Sequence, residues 1–171
     1  MKITSKLITR IALLAAISLI LGKFLSFKIG EGEGGWGRLS FENLTVILAG
    51  YCYGIVPGML CGTVADIVGC ILYGYAINPI ITLGAAMVGA YAGLFGKKGV
   101  FKSANLFLSV SVAHVVGSML IKSLGLHILP PFFSFAILVW RIPMYILTGT
   151  LEYIILRILF CNKAFCDVLE K

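Results

Sequence analysis

Apolar residues in this chain gather into six runs, at about residues 8–27, 41–56, 58–75, 79–95, 104–126 and 132–160. Each is near the ~20 residues that a helix needs to cross a bilayer. The second and third runs are short and nearly fused. Only Gly54 to Gly58, with Pro57, marks a turn between them. Lys2, Lys6 and Arg10 before the first run give it the look of a secretory signal. No small-residue cleavage site follows and five further runs do, so it reads as the first membrane helix.

Composition agrees with that pattern. Of 171 residues, 60% are hydrophobic and 12% charged, against about 25% charged in soluble domains. A soluble chain of this length cannot bury so much apolar surface. The expected fold is therefore an all-α integral membrane protein, a single domain over 1–171 with six transmembrane helices. A net charge of +7 would suggest nucleic acid in a soluble protein. In a membrane protein it marks orientation, and no basic run with interleaved aromatics supports nucleic-acid binding.

With the N-terminus inside, nine cations fall on the cytoplasmic side: Lys2, Lys6, Arg10, Lys97, Lys98, Lys102, Arg157, Lys163 and Lys171. Five fall outside or at outer helix ends: Lys23, Lys28, Arg38, Lys122 and Arg141. The excess predicts that both termini are cytoplasmic. The stretch from Gly30 to Arg38, GEGEGGWGR, is then external. Its G-x-G-x-x-G pattern resembles a pyrophosphate loop, but such a loop needs a strand before it and a helix after it. A loop joining two membrane helices and preceded by no strand does not meet that requirement.

Ionisable residues inside a membrane span are costly and mark sites or pathways. Asp66, His114, Arg141 and Glu152 are the candidates. Asp66 shares a stripe with Gly58, Gly62, Cys70 and Gly74, whose small residues allow close helix approach. It is expected to point into protein, as a ligand group or as a carboxylate satisfied by its neighbours. Helical spacing aligns Arg141, Tyr145, Thr148 and Glu152 on one face of the last helix. Arg141 can take a carboxylate bidentately or snorkel to the interface. Glu152 is expected to pair with Arg157 or to serve helix packing.

Ser111, His114, Ser118 and Lys122 share a face of the fifth helix. Base and nucleophile of a hydrolase come from separate elements with a third orienting group, so this face reads as a polar packing seam. Gly96-Lys97-Lys98 lacks the remainder of an ATP-binding loop, so any energy for transport comes from elsewhere. Cys52, Cys61 and Cys70 lie in apolar segments as small hydrophobes. Cys161 and Cys166 lack the paired spacing of a zinc site, and no cofactor or metal is expected. Ala12 with Ala16, and Ala85 with Gly89 and Gly93, are small-residue pairs suited to internal packing or to docking another membrane subunit.

Three stretches carry a resemblance. They are Arg38-Leu39-Ser40-Phe41-Glu42-Asn43-Leu44, Ala65-Asp66-Ile67-Val68-Gly69, and Ile77-Asn78-Pro79-Ile80-Ile81-Thr82-Leu83-Gly84. Together with the size, the six-helix layout and the A-x-x-x-A pair, they resemble the folate-family substrate-binding (S) components of energy-coupling factor (ECF) vitamin transporters. The similarity is strongest over about residues 38–95, and the rest matches in length and hydropathy. It implies a compact S-component bundle that captures a vitamin outside the cell and works with a membrane T component and two ATP-binding subunits. It further implies that Ala12 and Ala16 meet the T component. The first loop, with Gly32, Gly35 and Trp36, would be a lid over the site.

Residue chemistry can be matched to folate, which has a donor-rich pterin, a flat aromatic middle and a dianionic tail. Asp66 can accept from the pterin, with Asn78 and Thr82 as neutral polar contacts. Trp140, Phe132, Phe133 or Tyr73 can stack on the rings. Arg38, Lys122, His127 and Arg141 lie where the anionic tail would remain. The same scaffold could instead take pantothenate, thiamine, riboflavin or a queuosine precursor. A structural membrane subunit and an intramembrane enzyme are the readings from other classes.

Overall fold

A computed structural model describes residues 4–29, 37–96, 102–128, 135–162 and 164–166. Helix α1 (Ser5–Phe24) leads into a hairpin of β1 (Ser26–Ile29) and β2 (Gly37–Ser40). Then follow α2 (Glu42–Tyr53), α3 (Ile55–Tyr73), α4 (Pro79–Phe95) and α5 (Ser103–Val112). A π-helical segment (Ala113–Ile121) continues α5 into α6 (Lys122–Ile128), and α7 (Phe135–Cys161) completes the bundle.

The six expected helical regions are present, but they are unequal. Among the described residues, four helices are long and apolar enough to cross a membrane: α1, α3, Ser103–Gly125 and Arg141–Cys161. Helix α4 has 17 residues, at the short end of a span, and α2 has 12, so the expected length of ~20 residues fails at α2. Every residue of α2 from Asn43 to Tyr51 is buried. A helix that is apolar all round belongs in the interior, and α2 packs against α1, α3, α4, α5 and α7.

Local chemistry sets the helix ends. Asn78 Oδ1 accepts from the Ile80 and Ile81 amides at 3.0 and 3.4 Å, and Pro79 occupies the first helical position. That is the favoured start of a helix, since proline lacks only an amide that would be orphaned there. Helix α3 stops at Gly74, whose φ of 70° is left-handed, a conformation that glycine adopts without a Cβ clash.

Backbones meet closely along α3 and α4. A Cβ at Gly58 would strike the Gly89 carbonyl, and one at Gly62 would strike the Ala85 carbonyl. Ala85, Gly89 and Gly93 are buried, so this run serves internal packing. Ala12 and Ala16, by contrast, are exposed on α1. Gly89→Ala is expected to cost at least the ~1–3 kcal/mol of an overpacked core, because the obstructing atoms are backbone. The thermal midpoint of detergent-purified protein measures this; an unchanged midpoint would show that the helices separate freely.

The hairpin corrects one expectation. The strands pair antiparallel, with Ser26 opposite Ser40 and Phe27 opposite Leu39, so a strand does precede the glycine-rich stretch. A second strand follows it, however, where a pyrophosphate loop requires a helix. Among the described residues the fold is helical with one two-stranded hairpin, and the dinucleotide reading stays excluded.

Candidate functional site

Connectivity brings the N-termini of α2, α4 and α7, the C-terminus of α3, α6 and the hairpin to one end of the bundle. The polar side chains cluster there. Helix α2 opens with Glu42, whose amide donates to Ser40 Oγ at 3.3 Å, and Ser18 of α1 donates to the Glu42 carbonyl at 2.6 Å. Hairpin, first helix and second helix are thereby tied at Glu42.

Lys122 is buried and donates from Nζ to Glu42 Oε1 at 3.3 Å and to Asn43 Oδ1 at 3.4 Å. Asn43 Nδ2 in turn donates to Ser118 Oγ at 3.3 Å. Lys122 is therefore an internal counter-charge to Glu42, a partner that its expected place near the anionic tail did not indicate. Asp66 and Tyr145 also lie within electrostatic reach of its ammonium.

Asp66 is half-buried. Its Oδ2 accepts from Thr82 Oγ1 at 2.6 Å, a short, charge-assisted bond that orients the carboxylate. The structure thus joins two of the expected ligand groups directly. Asn78 serves the fold. It caps α4, and its Nδ2 donates to the Gly125 carbonyl at 2.9 Å, so its amide is committed to holding α4 against α6.

On α7, the expected face is present. Thr148 and Glu152 are buried and Arg141 and Tyr145 half-buried, while Ile142, Ile146 and Leu147 are exposed. Arg141 donates from Nη1 to Ser123 Oγ at 3.1 Å and from Nη2 to Tyr145 Oη at 2.9 Å. These bonds hold the guanidinium at the cluster and do not let it snorkel. Glu152 pairs with His114 through Oε2 and Nε2 at 2.6 Å, which corrects the expected partner Arg157. His114 and Ser118 therefore turn to different helices, α7 and α2.

Sequence reasoning named Glu42 and Asn43 within the stretch that carries the resemblance but gave them no partner, and it missed Ser123 as a part of this cluster. Glu42 at a helix start after Ser40 was the one available signal, since acidic residues favour a first turn. The lid residues Gly32, Gly35 and Trp36 lie outside the described residues, as do Phe132 and Phe133. The side chains of Arg38, His127 and Trp140 lie outside them too. At the opposite end of α1, Leu7, Ile11, Ala12, Val56, Leu60 and Val64 line an apolar groove between α1 and α3.

No curated protein matches the sequence. Solved structures that share the fold include the following two. One is FolT bound with folic acid, with TM-score 0.71, 22% identity and 88% of each chain covered. The other is the S component of a bacterial ECF transporter, with TM-score 0.68, 20% identity, and 97% of this chain and 98% of that one covered. The family model "ECF transporter, substrate-specific component" matches residues 6–161. The chain therefore belongs to the substrate-specific components of ECF transporters, multi-pass membrane proteins of vitamin uptake.

Proposed function

We propose that this S component binds folate at its hairpin end, facing outside, and delivers it through a T component and two ATP-binding subunits. The observation that carries this reading is that two polar groups near that end are each oriented by neighbours. Asp66, oriented by Thr82, is an acceptor. Arg141, aimed by Ser123 and Tyr145, is a donor. A pterin presents N–H groups that suit the first, and a glutamate tail presents carboxylates that suit the second. Arg141, whose guanidinium Ser123 and Tyr145 hold at the cluster, is the cation assigned to the tail. The folate-bound relative of the same fold supports the choice of vitamin.

Trp36 and Trp140 are the chain's two tryptophans, so intrinsic fluorescence reports binding. Titration of the purified protein with folate, pantothenate, thiamine and riboflavin should give a saturable response to folate. Saturable binding of another vitamin, with none of folate, would overturn the assignment.

The exposed pair Ala12 and Ala16 beside the apolar groove is assigned to the T component. Ala12→Trp with Ala16→Trp should leave folate binding intact and abolish co-purification with the T component and ATP-binding subunits. Retained assembly would remove this face from the interface.

A further inference from the structure

The His114–Glu152 contact lies deeper than the ligand cluster and belongs to no part of the binding scheme above. His114 is 4% exposed and Glu152 0%, and their 2.6 Å contact joins the π-helical segment to α7. Among the described residues, His114 Nδ1 and Glu152 Oε1 are buried without hydrogen-bond partners, so the Nε2–Oε2 bond is the one polar contact each side chain makes there. Gly149 on α7 lets the ring sit close: a Cβ there would come within 3.3 Å of His114 Cδ2. A buried polar group that loses its partner is costly, so this bond strongly favours one setting of α7 against the π-helical segment.

That setting reaches the ligand cluster through Tyr145. The Tyr145 ring lies against His114, with centroids 5.8 Å apart, and its hydroxyl accepts from Arg141. Tyr145, Gly149 and Glu152 follow one another at helical spacing on the inward face of α7. The π-helical segment contributes by changing the helix phase. Its closing bond runs from the Lys122 amide to the Gly117 carbonyl, five residues back, and such segments recur at functional sites. Over this segment His114 turns to α7, Ser118 to α2 and Lys122 to Glu42.

We infer that His114 and Glu152 are positioning residues, a buried latch that sets Tyr145 and Arg141 for the ligand without touching it. The ligand half of this inference rests on the folate reading; the latch itself does not. Emission is read in a Trp36→Phe background, where Trp140, one residue before Arg141 on α7, is the remaining tryptophan, and folate affinity is read by calorimetry with Trp36 retained. Each variant is measured in its monodisperse fraction.

Glu152→Ala and His114→Ala should each shift Trp140 emission in ligand-free protein. They should also weaken folate binding about 10-fold. Glu152→Gln supplies an amide able to donate to the same ring nitrogen and should restore both readouts to near the parent. Combined with Arg141→Ala, Glu152→Ala should cause little further loss, because it acts through Arg141.

Losses that simply add to those of Arg141→Ala would reduce the pair to structural support and overturn the inference. So would unchanged emission and affinity in Glu152→Ala. If the protein with Trp36 retained binds no folate while emission responds as described, the latch stands and the folate assignment falls. If it binds folate and neither readout moves, the reverse holds.

Discussion

Asp66→Ala is expected to weaken folate binding by about two orders of magnitude. A hydrogen bond to a charged group contributes about 1.5–3 kcal/mol, and its loss is worth roughly 10- to 150-fold in affinity. Asp66 falls toward the upper part of that range because Thr82 already orients it at 2.6 Å, so little ordering is left to binding. Asp66→Asn should fail nearly as badly, since it sets an amide donor against a donor-rich ring edge. Thr82→Val should lose less, because the carboxylate remains and only its orientation is freed. Calorimetric or fluorescence titration reads all three, and wild-type affinity in Asp66→Ala would remove the carboxylate from the site.

The second large effect is expected at Lys122, on stability before binding. Separating a buried ion pair by removing one partner costs about 3–5 kcal/mol. The Glu42 side chain is 36% exposed against 10% for Lys122, so water screens the remaining carboxylate and the cost should fall to about 1–3 kcal/mol. Lys122→Met also takes a donor from Asn43, which pushes toward the higher figure. The detergent thermal midpoint should therefore fall by several degrees. Glu42→Gln with Lys122→Met should recover most of that loss, because neither charge is then left in the cluster. A double variant no better than the single one would show that Lys122 supports the bundle by packing its stem and not by its charge.

Much of this organisation could be read along the chain, because it depends on contiguous residues. The bounds of α4 follow from Asn78, Pro79 and the apolar run to Phe95. The inward face of α7 follows from the spacing of Arg141, Tyr145, Thr148 and Glu152. The hairpin was not legible, since four-residue strands of mixed polarity bordering a glycine-rich stretch carry little periodic signal. The shortness and complete burial of α2 were also hidden, because an apolar run reads alike whether lipid or protein surrounds it.

The candidate site divides along the same line. Asp66, Thr82, Lys122 and Arg141 could be nominated one by one, as polar residues are conspicuous in an apolar chain. Their pairing could not. Glu152 and His114 are 38 positions apart, and Lys122 and Glu42 are 80 apart. Arg157 was the nearer cation along the chain, and nearness in sequence proved the wrong guide to the partner of Glu152.

By itself, then, the sequence determined a membrane bundle, its helical regions, the face that α7 turns inward and the family that the chain resembles. Those are consequences of hydropathy, helical period and local dihedral preference, which act within a run of residues. Only the tertiary structure decided that Lys122 neutralises Glu42, that Thr82 orients Asp66 and that Glu152 finds His114. Partner choice depends on how closely and at what rotation two helices meet. Here that is set by the glycine contact of α3 with α4 and by the phase change of the π-helical segment, neither of which is a property of one stretch of chain.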